Sequence, residues 1–568
     1  MPKNRSTFFQ DGPQLKNAYE TDRLLKSYIR WKFRGTDFQS INAELSAFGA
    51  RCVEEIAHLG EMAEAQLPKH VPYDAWGRRI DKLEMAPAWR TLDRISAEEG
   101  LIAIGYERKE GELSRIRQFA KLFLFHPSSA FYTCPLAMTD GAARVLELSN
   151  NEPLKTKVLG HLTSRDPERF WTSGQWMTER TGGSDVSTTS TIARPTTEAV
   201  PDHDYVLTGD KWFTSATTSQ MALALAKVEG ASDAREGLSL FYVELRDQDG
   251  RLRNIRVNRL KDKLGTKALP TAELTLSETP AVLLSQIGEG VKTVATVLNI
   301  TRLYNSVTAL GTMERALSLA TDYGQRRHAF GRKLNEQPLH LRTLSRLRIE
   351  FEGCFMLVFH LVHLLGKEEV KTATVAEAAT LRLLTPIAKL WTAKQCITTC
   401  SEVLESFGGA GYVEDSGLPK LLRDSQVFSI WEGTTNVLSL DVLRVLGKEG
   451  VFETYLRDMK GRLRSLQQVD LQTASAQVAR ALRALEDHMN AIAGLTREVA
   501  QRVLEAGARD FALAIARSTA AVLLLEFAQA PESYDGAVDV AIEFCRLPLA
   551  PLQRVEELVA TDFSRLLF

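Results

Sequence analysis

The 568-residue sequence predicts an α+β fold in which a β-domain interrupts an otherwise helical chain. Apolar residues recur every three or four positions through much of residues 1–168, and long helical patterns return from residue 286. Between them, residues 169–285 contain short runs of β-branched and aromatic residues separated by turn residues. We therefore expect an N-terminal helical domain (1–168), a central β-domain (169–285), a helical bundle (286–448) and a C-terminal helical extension (449–568).

Helical spacing in the N-terminal part is clearest in Asp81–Gly100 and Leu113–Leu124. In the central part the predicted strands are short and evenly spaced, which favours a barrel or a sandwich. These strands are Val186–Ile192, Tyr205–Leu207, Lys211–Thr214, Leu223–Val228, Leu238–Leu245 and Ala272–Leu276.

Four long helices are predicted in the bundle, and the short loops between them favour an antiparallel arrangement. They are Thr301–Arg327, Leu339–Leu365, Thr372–Phe407 and Thr435–Leu446. The extension is also helical, but it contains no cluster of residue types that would carry catalysis.

Composition argues against several classes of protein. The net charge of −1 does not favour nucleic-acid binding, which usually needs a basic excess. The six cysteines have no metal-binding spacing, so we expect no metal site, and such sparse thiols suit a reducing, cytoplasmic location. No uninterrupted apolar stretch approaches the ~20 residues of a membrane span.

The first candidate motif runs from Met177 to Asp185, where the β-domain begins. Gly182 and Gly183 would let the backbone approach a ligand closely, and Thr178 and Ser184 offer hydroxyl groups. A glycine-rich turn before a strand is the alternative.

A second motif is Lys211–Ser215, in which two aromatic residues precede two hydroxyl residues. One ring could lie against a flat heterocycle whose polar edge meets the hydroxyl groups. Because adjacent strand residues point to opposite faces, we expect only one of Trp212 and Phe213 to do so. Ordinary barrel packing remains the alternative.

Two further motifs follow predicted bundle helices. Arg326–Gly331, with Gln337 beyond it, could hold a pyrophosphate through charge-assisted hydrogen bonds, or its cations could simply complement a helix end. Phe407–Tyr412 contains three glycines and is, by itself, typical of a helix C-terminus.

The fifth motif is Ile430–Asn436, where Glu432 lies in an apolar run that leads into a helix. Burial raises the pKa of a carboxyl group, which suits a general base acting on a weakly acidic carbon. A charge favoured by the helix dipole, or a paired carboxylate, is the alternative.

Together, in this order and layout, the five motifs resemble the acyl-CoA dehydrogenase family over about Gln118–Gly447. The resemblance implies that FAD is the cofactor and that the reaction is α,β-dehydrogenation of a medium- to long-chain acyl-CoA. It also implies a homodimer or homotetramer and electron-transfer flavoprotein as acceptor. Glu432 is implied as the catalytic base, with its own N–H and a flavin ribityl hydroxyl binding the thioester oxygen.

The resemblance also assigns the remaining site residues. Those implied to bind the cofactor are Met177, Thr178, Gly183, Ser184, Phe213, Thr214, Ser215, Arg327, Phe330, Gln337, Glu405, Gly408, Gly409, Thr434 and Asn436. Those implied to bind substrate are Ser184, Arg302 and Gly433.

Some features depart from the common members of the family. Arg180 follows Glu179 where the common enzymes have proline, and the spacing from Phe330 to Gln337 is one residue shorter. With the C-terminal extension, these features resemble the branch of the adaptive-response flavoprotein AidB. A DNA-associated flavoprotein and an acyl-CoA oxidase are therefore kept as alternative functions, although the acidic extension makes DNA an unfavoured partner.

Overall fold

The computed structural model describes residues 11–200, 202–231 and 237–566. The chain forms two compact units. We call Arg51–Glu110 with Arg117–Tyr304 the barrel unit, and Met1–Ala50 with Gly111–Ile116 and Asn305–Phe568 the bundle unit. Residues 1–10 lie outside the described part.

Strands form two sheets in the barrel unit. The first is a hairpin of β1 (Lys69–Tyr73) and β2 (Arg79–Glu84). The second contains β3 (Ser173–Trp176), β4 (Ile192–Val200), β5 (His203–Ser215), β6 (Met221–Val228), β7 (Leu238–Glu244), β8 (Ile255–Leu260) and β9 (Thr271–Leu283).

The larger sheet closes into a barrel. Its order is β3-β6-β4-β5-β9-β7, β8 pairs with β9, and the additional pairing of β7 with β6 completes the ring. β3 and β4 run parallel to β6, whereas the other pairings are antiparallel. Closure leaves few unpaired strand edges, which makes the barrel a rigid support for the loops at its ends.

The two faces of β6 explain how the barrel is packed. Its small residues Ala222, Ala224 and Ala226 lie in the barrel core with Trp176 and Phe241. Its larger residues Met221, Leu223 and Leu225 belong to a second cluster, to which α8 and α9 also contribute. Alternating side chains therefore bury both faces of this strand, as expected for a period of two.

Helices surround these strands and build the other unit. Along the first half of the chain they are α1 (Ala18–Thr21), α2 (Arg23–Lys32), α3 (Gly35–Arg51), α4 (Ala57–Ala65), α5 (Pro87–Glu98), α6 (Ala103–Glu107), α7 (Ser114–Phe125), α8 (Thr133–Leu148) and α9 (Glu152–Leu162). Along the second half they are α10 (Gly290–Gly324), α11 (Pro338–Glu369), α12 (Val375–Ser406), α13 (Leu418–Ser425), α14 (Thr435–Leu446), α15 (Val451–Arg464), α16 (Gln472–Ala493), α17 (Arg497–Ala528), α18 (Ala537–Cys545) and α19 (Val555–Ala560).

Local sequence fixes where the long bundle helices begin. Thr374 and Glu377 form a reciprocal capping box at the start of α12, and Pro338 occupies the first turn of α11. α11 and α12 pack against one another, and α17 packs against both. The C-terminal extension is therefore part of the bundle core, since most of its longest helix is buried.

α11 and α17 are long and apolar enough to span a bilayer by length and composition. However, 78% and 83% of their most apolar windows are buried inside the structure. We interpret them as core helices, in keeping with the expectation of no membrane span.

The predicted fold class is confirmed, with a barrel rather than a sandwich, but several element boundaries were wrong. Asp81 lies in strand β2, so the helix predicted from Asp81 begins at Pro87. Val186–Thr188 is a short 3-10 helix, and the strand predicted there begins only at Ile192. The first long bundle helix begins at Gly290, eleven residues before the predicted Thr301.

Candidate active site

Glu432 lies at the centre of a strained turn in the bundle unit. A 3-10 helix ends at Ser429, and α14 begins at Thr435. Between them the backbone of Glu432 has φ +55° and that of Gly433 has φ +101°. A left-handed conformation costs a non-glycine residue about 1–2 kcal/mol, so the surroundings must hold it in place.

Three side-chain hydrogen bonds hold this turn. The indole N–H of Trp431 donates to Oδ1 of Asn305, and Nδ2 of Asn305 donates to the carbonyl oxygen of Phe428 across 3.3 Å. On the other side, Nζ of Lys389 donates to the carbonyl oxygen of Gly433 across 2.6 Å. Asn305 and Lys389 are buried on α10 and α12, so rigid helices position the backbone on both sides of Glu432.

Sequence reasoning missed Asn305 and Lys389. The signal for Lys389 was present, because a lysine inside the apolar run Pro386–Trp391 must find a partner when it is buried. Asn305 carried no comparable signal, since asparagine is common in polar positions of helices.

The neighbouring predicted residues occupy the start of α14. Thr434 is the N-cap residue, and its carbonyl oxygen accepts the N–H of Leu438. Asn436 is exposed in the first turn. Leu438 also packs so closely on Gly433 that an added Cβ would lie 2.9 Å from its Cδ2 atom. Arg302 lies on α10 in the barrel unit, one turn before Asn305, and is half-buried.

In the barrel unit, the Met177–Asp185 loop is tied to strand β5. The N–H of Trp212 donates to the carbonyl oxygen of Thr178 across 3.0 Å. Gly182 has φ +124°, and a Cβ at Gly183 would lie 2.4 Å from Oγ1 of Thr178. Both glycines are therefore needed for the loop to turn back on itself, while Ser184 remains exposed.

The buried side chain of Glu179 anchors this loop to the barrel. Its carboxylate accepts Nζ of Lys211 across 2.8 Å and also accepts the amide and hydroxyl groups of Ser190 and Thr191. Burial raises the pKa of Glu179, but the Lys211 charge and these donors outweigh it and lower the pKa to about 2. Glu179 is therefore a fixed anion, whereas Arg180, which follows it, is exposed.

The strand alternation on which the Lys211–Ser215 expectation rests is interrupted, and the expectation that only one of Trp212 and Phe213 lies against a flat ligand stays a prediction. The pairing of β5 with β9 shifts register between Lys211 and Thr214, so the strict alternation of the strand is broken there. Nζ of Lys261 lies 3.7 Å from the ring centre of Trp212 and 4.5 Å from that of Phe213. Phe213 keeps 54% of its surface exposed, so it remains available to a planar ligand.

The two hydroxyl residues that follow differ in what they can offer. Thr214 is fully buried, and its Oγ1 donates to the carbonyl oxygen of Ala272 across 2.8 Å. Ser215 is half-buried and shares a 3.0 Å hydrogen bond with Oγ1 of Thr271. Ser215 is thus the better placed of the two for a hydroxyl contact to a ligand.

Beyond α10, Arg327 leads into a small hairpin of β10 (His328–Ala329) and β11 (Arg332–Lys333). Phe330 and Gly331 form its turn with φ +53° and +80°. Gln337 braces the hairpin, because its Nε2 donates to the Ala329 carbonyl oxygen and its Oε1 accepts from Arg332. Phe330 is 99% exposed, so its ring is displayed rather than packed.

The glycine loop after α12 lies beside the base of this hairpin. Phe407 stacks on Tyr323, with ring centres 4.6 Å apart, and the Tyr323 carbonyl oxygen accepts the N–H of Arg327. Gly408 and Gly409 have open space where a Cβ would be, so their backbone is accessible to a ligand. Glu405 is exposed on the last turn of α12.

The predicted residues thus fall into three groups within the two units. The loop and strand of the barrel unit bring together Met177, Thr178, Gly183, Ser184, Phe213, Thr214 and Ser215. Within the bundle unit, one group surrounds the Phe330 hairpin with Gly408 and Gly409, and the other surrounds Glu432.

Comparison with known proteins identifies the family. Residues 11–168 match the adaptive response protein AidB N-terminal domain, and residues 174–279 match the acyl-CoA dehydrogenase middle domain. Residues 288–447 match the acyl-CoA dehydrogenase C-terminal domain, and residues 450–565 match the acyl-CoA dehydrogenase 11 C-terminal domain-like region. Acyl-CoA dehydrogenase family member 11 of Caenorhabditis elegans is 42% identical over 557 residues, covering 95% of this chain and 88% of the relative. The chain belongs to the acyl-CoA dehydrogenase family.

Other relatives place it in the AidB-like branch. The putative acyl-CoA dehydrogenase AidB of Escherichia coli is 33% identical over 77% of this chain and 79% of the relative. The crystal structure of Caenorhabditis elegans ACDH-11 in complex with C11-CoA has a TM-score of 0.91 at 41% identity, covering 97% of this chain and 95% of that one. An acyl-CoA dehydrogenase from Bacillus anthracis, solved in complex with FAD, shares the fold at a TM-score of 0.71 and 20% identity, covering 98% of this chain and 94% of that one. The predicted branch, the enzyme class and FAD as cofactor are confirmed.

The residues present fit this cofactor. Phe213 presents an exposed aromatic ring. The backbone N–H of the preceding residue, Trp212, donates to the Thr178 carbonyl oxygen and so ties the loop containing Gly182 and Gly183 to the same strand. That arrangement suits a flat isoalloxazine ring with polar edges. The open backbone at Gly408 and Gly409, beside the arginine-bearing hairpin, suits a diphosphate.

Proposed function

We propose that this protein catalyses the α,β-dehydrogenation of a medium- to long-chain acyl-CoA, with Glu432 as the base that removes the α-proton. The left-handed turn at Glu432 carries this proposal, because strained non-glycine residues held by buried partners cluster at functional sites. The branch's acyl-CoA dehydrogenases, among them a relative solved with C11-CoA, support the same reaction.

FAD supplies the two-electron oxidant that accepts the β-hydride. Glu432 holds the α-proton on its carboxylate, and its backbone N–H donates to the thioester oxygen as negative charge develops there. Such a preorganised donor lowers the activation barrier by about 3–4 kcal/mol. Phe213 would lie against the flavin ring and Ser215 would donate to its polar edge, while Arg327 and Gln337 would hold the diphosphate and adenosine part.

Substitution of the base tests this assignment. Glu432→Gln preserves the size of the side chain but removes the proton acceptor, so we expect FAD to stay bound and dehydrogenation to stop. Glu414→Gln is the matched control, because Glu414 is an exposed carboxylate paired with Arg423. The measurement is anaerobic flavin bleaching with saturated acyl-CoAs from C4 to C18, together with flavin content from absorbance.

Two results would contradict the proposal. Near-normal bleaching by Glu432→Gln removes Glu432 from the role of base. Failure of the unsubstituted protein to bleach with any chain length removes dehydrogenation itself. Bleaching that is strongest near C10–C12 would support the chain-length preference suggested by the relative solved with C11-CoA.

The assembly and the acceptor are also part of this proposal. We infer a homodimer or homotetramer, because Phe330 is displayed at the tip of a braced hairpin and would contact a neighbouring copy's cofactor. Electron-transfer flavoprotein is the proposed acceptor, and cytoplasm the proposed location, which suits six buried free cysteines.

DNA association has weaker support. In the basic segment of α15, Lys460 pairs with Glu486, and Arg462 pairs with Asp458 and Glu526. Cations that are already paired are poor phosphate ligands, which leaves only Arg457 and Arg464 of that segment for a DNA backbone. A mobility-shift titration across a salt series separates this function from the enzymatic one.

A further inference from the structure

The bundle unit contains a cavity of about 630 Å³ that the proposed reaction does not use. Its walls come from α2, α11, α12, α15 and the end of α17. The cavity therefore requires the C-terminal extension, a part of the chain for which the dehydrogenation reaction gives no role. A volume of this size is typical of small-molecule sites.

Unpaired cations distinguish the wall contributed by α2. Nζ of Lys32 contacts the rings of Trp31 at 3.8 Å and Tyr28 at 5.5 Å, and no described carboxylate lies within ion-pair distance of it. Arg34, two residues further on and exposed just beyond the end of α2, likewise forms no ion pair within the described residues. Burial lowers the pKa of Lys32 to about 8, so its charge is poorly compensated inside the protein.

A buried nitrogen without a protein partner also belongs to the lining of the cavity. Nε2 of His360, on α11, is inaccessible to solvent and has no hydrogen-bond partner in the part of the chain that the structure describes. Buried polar atoms are normally hydrogen-bonded, so this nitrogen still has its hydrogen-bonding capacity to offer to a group bound in the cavity. His363, one turn along, already contacts Glu112 across 3.2 Å.

The acidic residues of the wall do not cancel these cations. Glu526 pairs with Arg462 and acts on Lys32 only from beyond ion-pair distance, and Glu377 pairs with Lys367. Glu532 alone adds an unpaired carboxylate, beside the polar side chains of Ser465, Gln467 and Gln529. The lining of the cavity therefore combines two cations, Lys32 and Arg34, with polar side chains that can accept hydrogen bonds from hydroxyl groups.

We propose that this cavity binds the phosphate ester of a small polar metabolite, with the phosphate held by Lys32 and Arg34. A phosphate monoester carries nearly two negative charges at neutral pH, which matches two unpaired cations. Burial holds the pKa of His360 well below its ordinary value, so the ring is neutral, and a phosphate oxygen can accept from Nε2 in the tautomer that carries its proton there. The hydroxyl-bearing part of the ligand lies toward Glu532 and Gln529, and the cavity is too large for the phosphate group alone.

Calorimetric titration of the FAD-loaded protein with glycerol 3-phosphate at pH 7 tests the proposal. We expect saturable one-site binding that leaves the flavin spectrum unchanged and is at least about threefold tighter than binding of inorganic phosphate. Lys32→Met keeps the apolar stem but removes the charge, so binding should weaken about tenfold. His360→Phe should weaken it as well.

Arg30→Gln is the matched control, because it removes the same charge from an exposed position of the same helix. It should bind like the unsubstituted protein. The proposal is overturned if glycerol 3-phosphate does not bind, or if Lys32→Met binds it normally. It is also overturned if succinate binds more tightly, if inorganic phosphate binds equally well, or if undecanoyl-CoA displaces the ligand. Because flavin bleaching by acyl-CoA is measured separately, failure here leaves the dehydrogenase assignment intact.

Discussion

Lys389 and Gly433 are joined by a 2.6 Å hydrogen bond from the lysine Nζ to the glycine carbonyl oxygen. Lys389 is completely buried on α12, and a buried ammonium group is costly unless its donors are satisfied. The bond fixes the backbone immediately after Glu432, while Asn305 fixes Trp431 immediately before it. The two contacts together hold a left-handed glutamate that its own conformational preference disfavours.

Lys389 should therefore act as a positioning residue for the proposed base. We expect Lys389→Met to lower kcat for dehydrogenation about 10- to 100-fold, because small misplacements of a reacting group are expensive, while KM and FAD content change little. Lys394→Met, at an exposed position of the same helix, is the control and should be normal. A variant at Lys389 with unchanged kcat would show that the contact is not needed to place Glu432.

Trp431→Phe tests the other side of the turn. The substitution keeps an aromatic ring but removes the N–H that Asn305 accepts. Asn305 is buried, so its Oδ1 atom would be left without a donor. We expect this to lower the free energy of unfolding by about 1–3 kcal/mol, which is measured as a lower Tm. Trp76→Phe provides the comparison, because Trp76 is 85% exposed and its replacement should leave Tm unchanged. Equal Tm values for the two variants would argue against a stabilising role of the Trp431 contact.

The sequence predicted helices well where a long apolar period was uninterrupted, as in Thr435–Leu446, whose bounds match α14. It failed at Asp81 because the buried face of strand β2 carries a carboxylate. Asp81 accepts Nε of Arg79 and the N–H of Val257, so a polar residue occupies a position where alternation predicts an apolar one. Tertiary hydrogen bonding of this kind cannot be read from spacing.

The site was predictable to the extent that its motifs are local. Glu432 and the glycines of the Met177–Asp185 loop could be proposed from sequence alone, whereas Asn305 and Lys389 become relevant only when helices distant in the chain pack together. Trp212 and Phe213, whose rings both lie near Lys261, also stand where the pairing of β5 with β9 shifts register. Such a shift is set by the partner strand, not by the motif itself.

Phe330 offers a test of the proposed assembly. Its ring is 99% exposed, so Phe330→Ala should leave the fold of one protomer intact, as judged by far-UV circular dichroism. If the ring packs on a neighbouring copy, we expect FAD affinity to fall about tenfold. We also expect the oligomer to be weaker, so that it dissociates at protein concentrations at which the unsubstituted oligomer is still intact. Val375→Ala, at another exposed apolar residue, is the control. Unchanged FAD affinity and unchanged sedimentation for Phe330→Ala would contradict the shared site.

The buried pair of Glu179 and Lys211 should make stability depend on pH. The pKa of Glu179 is lowered to about 2 in the folded state, below the ~4.3 of an unfolded glutamate. The stability that this group contributes is therefore fully present above about pH 5 and is lost as the pH falls toward 2. Glu179→Gln should remove this part of the acid dependence, measured as Tm between pH 3.5 and 6.

At neutral pH the same substitution leaves Lys211 buried without its counter-ion. We expect the free energy of unfolding to fall by about 3–5 kcal/mol, because removing one partner of a buried ion pair leaves the other charge buried without compensation. Combining Glu179→Gln with Lys211→Met removes that uncompensated charge and should restore much of the stability. Glu229→Gln, which breaks an exposed pair with Arg194, should have little effect. If Glu179→Gln is no less stable than Glu229→Gln at pH 7, the buried pair does not anchor the loop.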